Sequence, residues 1–390
     1  MNFRKIAFLT EYDARNINRW SGTAFYMSKS LREAGFDVEY LGPLAERGQL
    51  LIKTLNFLYS AISKKRYLPQ VEPIRLKSFA RQAEEKLKNS DADIVLSPNM
   101  WPIAYLKTNR PVILWADCTF ASMLNFYPYY SNLCKRSLRF GNLAEQKCLH
   151  KCSITVFASQ WAAESAIRDY NVSTERVYVV PYGANIECNR TQADIEKLIE
   201  KRDFPPCRLL FIGKIWTRKG GDVAIEVARE LNENGVPTEI YLVGSLPQDK
   251  EKLPEFVKPI GFIDKATEDG RRQFNELFEK SHFLIVPSRA EAYGIVFCEA
   301  SSYGLPSIAT NVGGIPTVVR DYINGKTFPL SAPPREYARY IKSLMENFEQ
   351  YKHLVRSSFN EFLTRLNWKT AVEHVKELID KKLYKNEKEY

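Results

Sequence analysis

A chain of 390 residues, 45% hydrophobic and 26% charged, is ordinary for a soluble globular protein, and its length points to two or three domains. No uninterrupted apolar run approaches the roughly 18 residues of a spanning helix, and MNFRKIAFLT leads into a strand-like segment rather than a secretory leader, so the expected location is the cytoplasm, with the inner membrane face included. The net charge of +10 is uneven, with 25 lysines and arginines against 16 acids in residues 1–185 and 31 against 30 in residues 186–390, and a basic first half attracts phosphorylated or otherwise acidic partners.

Short β-branched and aromatic runs, each followed by a helical pattern, recur along the chain. They are KIAFLT, DVEYLG, DIVLSP, VILWAD, ITVFAS and VYVVPYG, then RLLFIG, EIYLVG, PIGFI, HFLIVPS and PSIAT. Continuous apolar runs alternating with amphipathic helices predict parallel strands covered on both faces, hence a doubly wound α/β chain. The polar segment 186–207, ending in Pro205-Pro206, separates two series and predicts domains 1–185 and 186–367 with a cleft between them, each offering the carboxyl ends of its strands as a ligand rim. Within the first, LLIKTLNFLYSAISKKRY (50–67) pairs an apolar stripe with Lys64, Lys65 and Arg66. It reads as a helix covering the sheet with its charged end in water, or as a membrane-surface or acceptor-binding helix. Cys148 and Cys152 have the spacing of a helix turn, and the seven cysteines are expected to be free and mostly buried. The stretch WKTAVEHVKELIDKKL (368–383) has helical spacing and then dissolves into KNEKEY, a docking helix with a frayed tail.

The chemistry concentrates after HFLIVPS. There the chain must turn, and Gly294 sits where a helix over 295–303 would begin. The first amides of such a helix lack intrahelical partners and carry the positive end of its dipole, which makes an anion site at the carboxyl edge of the sheet. Glu291 in the turn would face the cleft beside that anion. Glu299, one turn into the helix, would accept the two hydroxyls of a ribose. The bland alternatives are a solvated loop glutamate and an ordinary helix glutamate. A second element, GKIWTRKGGD (213–222), follows RLLFIG and opens a helix. It offers Lys214, Arg218 and Lys219 to a diphosphate, with Lys219 the preferred cation. The chain has no Walker sequence and no G-x-G-x-x-G after a leading strand, which argues against a nucleotide hydrolase or a dehydrogenase.

RAEAYGIVFCEASSYGLPSIATNVGGIPTVV resembles the E-x7-E region of the family-four retaining glycosyltransferases, and GKIWTRKGGD is similar to their G-R/K-x-x-x-x-K-G diphosphate loop. WSGTAFYMSKSLREAGFDVEYL resembles their glycine loop, first helix and second strand, and VYVVPYGAN (177–185) their interdomain strand ending in P-x-G. The resemblance implies a GT-B fold, two doubly wound Rossmann-like domains facing a central cleft, with the nucleotide sugar held mainly by the second and the acceptor by the first. It further implies that residues 368–390 dock back on the N-terminal domain. In family terms Lys219 and Lys214 would meet the donor diphosphate, as would the amides of Gly294, Ile295 and Val296. Glu299 would hold the ribose, and Glu291 would lie against the donor sugar near its anomeric carbon. Gly22 would let the first-domain backbone approach the diphosphate and acceptor, and Gly261, Phe262 and Ile263 would line the base pocket. One departure stands out: where many members place a histidine that contacts the donor sugar, PVILWAD has Asp117. A carboxylate accepts hydrogen bonds from hydroxyls but neither donates one nor carries positive charge, so the sugar or its pose would differ; the alternative is a strand-end cap. Asp91-Ala-Asp93 mimics the metal-binding D-x-D of a different glycosyltransferase fold, but it immediately precedes IVLSP and reads as a strand-entry turn.

The expected reaction is transfer of a hexose from a UDP- or GDP-linked donor to an acceptor hydroxyl with retention of anomeric configuration, without cofactor or metal. Glu291, Asp117 and Lys219 are the expected catalytic residues. The basic first half points to an anionic or lipid-linked acceptor, in glycolipid or polysaccharide synthesis, and to peripheral membrane contact, with no role for nucleic acid. Two other readings keep the same residues: a GT-B sugar phosphorylase or nucleotide-sugar epimerase, and a non-catalytic subunit that binds nucleotide sugar or membrane.

Overall fold

Buried apolar runs build one parallel sheet in each of two units, Met1–Pro181 with Ala371–Tyr390, and Tyr182–Thr370. The computed structural model describes residues 5–62, 64–249 and 253–384, so Ser63 of the 50–67 segment and the expected frayed tail KNEKEY lie outside the described residues.

In the first unit the strands are β1 (Lys5–Phe8), β2 (Asp37–Tyr40), β3 (Ile94–Ser97), β4 (Val112–Ala116), β5 (Ile154–Phe157) and β6 (Val177–Val179), in the order β2-β1-β3-β4-β5-β6. All are parallel. β3, β4 and β5 are buried at every position, as strands covered on both faces must be, whereas the edge strands β2 and β6 are partly exposed. The helices are α1 (Thr23–Glu33), α2 (Gln49–Ile62), α3 (Pro73–Lys88), α4 (Phe120–Met123), α5 (Lys135–Lys151) and α6 (Gln160–Tyr170). Cys148 and Cys152 lie at the end of α5, and five of the seven cysteines are buried. The turn at Asp91 is tied to the start of β1, where Lys5 N donates to Asp93 Oδ2 at 3.3 Å and Lys5 Nζ pairs with Asp91.

The second unit repeats the plan with β7 (Cys207–Gly213), β8 (Thr238–Gly244), β9 (Val257–Gly261), β10 (Phe283–Val286), β11 (Ser307–Thr310) and β12 (Gly325–Phe328), in the order β12-β11-β10-β7-β8-β9. Its helices are α7 (Gln192–Lys201), α8 (Trp216–Lys219), α9 (Gly221–Glu233), α10 (Glu268–Lys280), α11 (Ile295–Ser301), α12 (Ile315–Val318), α13 (Pro334–Glu346) and α14 (Phe348–Thr364). α15 (Trp368–Ile379) starts in this unit, where Trp368 Nε1 donates to Asn185 Oδ1 at 2.9 Å. From Ala371 it groups with the first unit, where Lys376 Nζ donates to Ala34 O at 3.3 Å. The strand order reverses between β7 and β10, and ligands of doubly wound sheets bind beyond the carboxyl ends of strands at such a reversal.

Three details depart from the sequence reading. β12, with the sequence GKTF, was not anticipated; its glycine faces β11 so closely that a Cβ on Gly325 would lie 2.0 Å from Ser307 O. The polar segment 186–207 contains α7, opened by a capping box between Thr191 and Asp194 and burying Ile195, Leu198 and Ile199. The helix after Gly294 is shorter than expected, ending at Ser301.

Candidate active site

Two loops meet at the reversal in the second unit. The one after β7 contains the single helical turn α8 and passes through Gly220 at φ +73°, where a Cβ would lie 2.1 Å from Pro287 O. Only glycine permits that approach to the loop after β10. The contact is then stitched by charge and backbone. Arg289 N donates to Arg218 O at 2.7 Å, and the Arg289 guanidinium reaches Thr217 O at 2.6 Å. The same group holds both oxygens of Asp222 at 2.8 and 2.6 Å, which keeps that carboxyl below its usual range.

Inside this seam lies Glu291, 8% exposed. Its Oε2 accepts from Lys219 Nζ and, at 3.3 Å, from Arg218 Nη1, which also donates to Ala290 O at 2.7 Å. Burial alone would raise the Glu291 carboxyl, but the two cations outweigh it and the net shift is downward. Two cations around one carboxylate leave a surplus positive charge, which suits the edge to an anion.

Three residues after Glu291, the helix start at Gly294 has φ +94° and ψ 67°, and a Cβ there would meet the Phe297 ring at 2.6 Å. Glu291 O accepts from Gly314 N at 3.0 Å, which fixes the turn from behind. Glu299 is buried in α11 and its Oε1 accepts from Lys265 Nζ at 2.7 Å. Lys265 belongs to the loop that leaves β9 at Gly261, whose φ is +81°.

The family model described as Glycosyltransferase Family 4 matches residues 23–187, and that described as Glycosyl transferases group 1 matches residues 206–347. The chain belongs to the family-four glycosyltransferases. A D-inositol 3-phosphate glycosyltransferase of Catenulispora acidiphila is 27% identical over 226 residues, 55% of this chain and 53% of that protein. The chain spans about half the length of the curated relatives it matches. Two solved structures share the GT-B fold over nearly the whole chain. One is a glycosyltransferase from Rickettsia africae, with TM-score 0.67, 17% identity and coverage of 98% of this chain and 100% of that one. The other is an Anabaena protein in complex with UDP and glucose, with TM-score 0.61, 16% identity and coverage of 97% and 99%.

Within this family-four chain the structure gathers Lys219, Glu291, Gly294, Ile295 and Val296 at the β7 and β10 ends, with Lys214 exposed on the same loop. It joins Glu299 to the 261–265 loop, where Phe262 is exposed and Ile263 buried. Gly22 and Asp117 belong to the first unit. Gly22, at φ +86°, starts α1 after two residues with positive φ, Trp20 and Ser21. Asp117 follows β4, half-buried, and with Glu11 it raises the buried Tyr12 hydroxyl, whose largest cause is burial itself. Glu11 in turn accepts from Asn99 Nδ2 at 3.0 Å. Sequence reading missed Lys265, Arg289, Glu11 and Asn99. Strand-end position was a usable signal for Glu11 and Asn99, which lie three and two residues past the ends of β1 and β3. Nothing local in the sequence marks Lys265, because its partner lies 34 residues away.

Proposed function

We propose that the chain is a retaining hexosyltransferase that uses a UDP- or GDP-linked sugar. The observation that most supports this is the convergence of Lys219 and Arg218 on the buried Glu291 at the strand reversal of the second unit. In this scheme the donor diphosphate takes Lys219, Lys214 and Arg218 as partners, together with the amides of Gly294, Ile295 and Val296. These groups stabilise the charge that develops as the bond from the anomeric carbon to the phosphate oxygen breaks, so no metal is required for that task. The acceptor hydroxyl forms the new glycosidic bond on the face the phosphate leaves, its proton passes to the departing phosphate oxygen, and nucleoside diphosphate is released. Glu291, freed from its cations as the diphosphate takes them, supports the oxocarbenium-like sugar. Glu299 holds the ribose. Asp117, from the first unit, is assigned to the donor sugar and Gly22 to the acceptor side on the family pattern alone.

The test is a thermal-shift panel of nucleoside diphosphate sugars, because a specific donor raises the melting temperature by mass action. It is followed by product analysis with the donor so identified. Stoichiometric nucleoside diphosphate with a glycoside of unchanged anomeric configuration is expected. Sugar phosphate as the product would turn the assignment to a phosphorylase, an isomerised nucleotide sugar to an epimerase, and binding without turnover to a non-catalytic subunit.

An anionic or lipid-linked acceptor at a membrane surface is supported by α2. Leu50 is 82% and Phe57 70% exposed, and Leu58, Ile74 and Tyr129 are exposed with them, the large exposed apolar residues of the first unit among those described. Residues 48–71 contain Lys53, Lys64, Lys65 and Arg66 and no acid. A second copy placed on this face would set cation against cation, whereas an anionic bilayer complements it. Sedimentation with phosphatidylglycerol vesicles that is lost at high salt, and absent with neutral vesicles, is the expected result. Equal binding to both would remove the anionic preference, binding to neither would remove the lipid assignment, and a concentration-dependent dimer would replace it with self-association.

A further inference from the structure

The carboxylate of Glu299 does not face an incoming ligand alone. Its side chain is 4% exposed, that of Lys265 30%, so the lysine is the open member of the pair. Lys265 is also held in place by its own loop. Thr267 caps α10 by accepting from Gly270 N at 3.0 Å, and a Cβ on Gly270 would lie 2.0 Å from Asp264 O. Arg271 Nη1 donates to Lys265 O and Ala266 O at 3.2 and 2.8 Å. The Lys265 ammonium lies 4.9 Å from the centroid of the Phe274 ring, within cation–π range. A fixed turn and an aromatic face therefore deliver this ammonium to Glu299.

A hydroxyl that reaches Glu299 meets an ion pair. Expelling Lys265 would leave a buried charge facing neutral groups only, which costs more than hydroxyl contacts return. Retaining it leaves Glu299 Oε2 to accept one hydroxyl, while the ammonium's further N–H groups donate to the neighbouring oxygen. We propose that Lys265 is a second recognition residue for the ribose of the donor nucleotide. With Glu299 it forms an acceptor–donor pair that reads adjacent hydroxyls, Glu299 the 3′ and Lys265 the 2′, so that Lys265 distinguishes ribonucleoside from 2′-deoxyribonucleoside diphosphates. The inference rests on the donor reading of Glu299 given above.

Calorimetric titration of the full chain with UDP, GDP and their 2′-deoxy counterparts tests it. Wild type is expected to bind one ribonucleotide about tenfold more tightly than its deoxy form, as a charge-assisted hydrogen bond allows. Lys265→Met should weaken the ribonucleotide about tenfold and leave the deoxy form nearly unchanged, so that the ratio collapses. Should Lys265→Met fail to fold because Glu299 has lost its partner, the same comparison runs between Glu299→Gln and Glu299→Gln/Lys265→Met. There the added substitution should weaken only the ribonucleotide. A wild-type ratio in Lys265→Met, or no added loss in the double variant, makes the lysine a structural partner and overturns the proposal, whatever the melting temperatures do. Wild-type binding with no ribose preference overturns it while the donor reading stands. Wild type that binds neither nucleotide overturns both.

Discussion

Glu145 in the first unit and Glu291 in the second are both buried glutamates, yet burial has opposite outcomes at the two. Glu145 accepts from the Phe120 amide at 2.9 Å, and burial pushes its carboxyl up to about 8, so it is mostly protonated at neutral pH. Glu291 feels the same burial, but Lys219 and Arg218 hold it below the ordinary range and it stays ionised. Company, not depth, sets the charge. The strand ends of the two units differ in the same sense. Lys219, Arg218 and Arg289 surround Glu291 and Asp222 in the second, whereas in the first the charges of Glu11 and Asp117 add to burial in raising the Tyr12 hydroxyl. The basic excess of the first half therefore does not mark its strand ends. Its cations stand elsewhere, at Lys64 to Arg66 after α2 and at Lys135, Arg136 and Arg139 in α5.

Substitution at the basic edge should have the largest effect. Lys219→Ala and Glu291→Gln are each expected to lower kcat by about 10²- to 10³-fold, the loss typical of an electrostatic partner of a transition state. Their binding should separate. Lys219→Ala weakens nucleoside diphosphate, whereas Glu291→Gln, which leaves two cations without their carboxylate, binds it at least as tightly as wild type. Equal loss of binding in both variants, read by calorimetry, would break the assignment of the cations to the anion.

The two glutamates should next be separable by pH. Glu145 has a folded value near 8 against an ordinary 4.5, so the stability it allows is full below about 4.5 and is lost as pH rises through about 8. Glu291 has a lowered value, so its contribution is present above the ordinary carboxylate range and is lost as pH falls through and below it. Glu145→Gln should flatten the alkaline side of the stability curve by on the order of a few kcal/mol, as read by denaturant unfolding; Glu291→Gln should flatten the acid side instead. An alkaline limb that survives Glu145→Gln would show that another group carries it. A smaller loss, about 2 kcal/mol, is expected for Gly220→Ala, which adds a strained φ to a contact with Pro287 O.

How much of this was legible in the sequence depended on the distance over which each feature is encoded. The buried strands β3, β4, β5, β7 and β10 are continuous apolar runs, so their pattern is local and was read directly. β12 was missed because only Phe328 among its four residues is a large apolar side chain, and α7 because its capping box stood inside a segment read for polarity alone. At the site, Glu291, Gly294 and Lys219 lie in two glycine-marked turns, with Glu299 in the helix that follows one of them, and could be picked out by spacing. The pairings among them could not, since Lys219 and Glu291 are 72 residues apart and meet only because β7 and β10 are neighbours in the sheet. Strand order, which no local pattern encodes, turns two separate anion-accepting turns into one seam.

Arg289 tests whether that seam matters for binding or only for stability. Its pair with Asp222 is half-exposed, with side chains 44% and 52% accessible, and pairs of that kind contribute about 0–1 kcal/mol. Stability should therefore fall by less than about 1 kcal/mol in Arg289→Ala. The same guanidinium also fixes Thr217 O, one residue before Arg218 and two before Lys219, so losing it frees the turn that presents both cations. Nucleoside diphosphate affinity should fall about threefold to tenfold, out of proportion to the stability change, because a cation that must be re-ordered on binding contributes less. Arg289→Lys should restore little, since an ammonium cannot span Thr217 O and both Asp222 oxygens at once. If affinity is unchanged in Arg289→Ala, the α8 turn is held by Gly220 and the Arg289 backbone amide alone, and the charged stitch is an ornament of the surface.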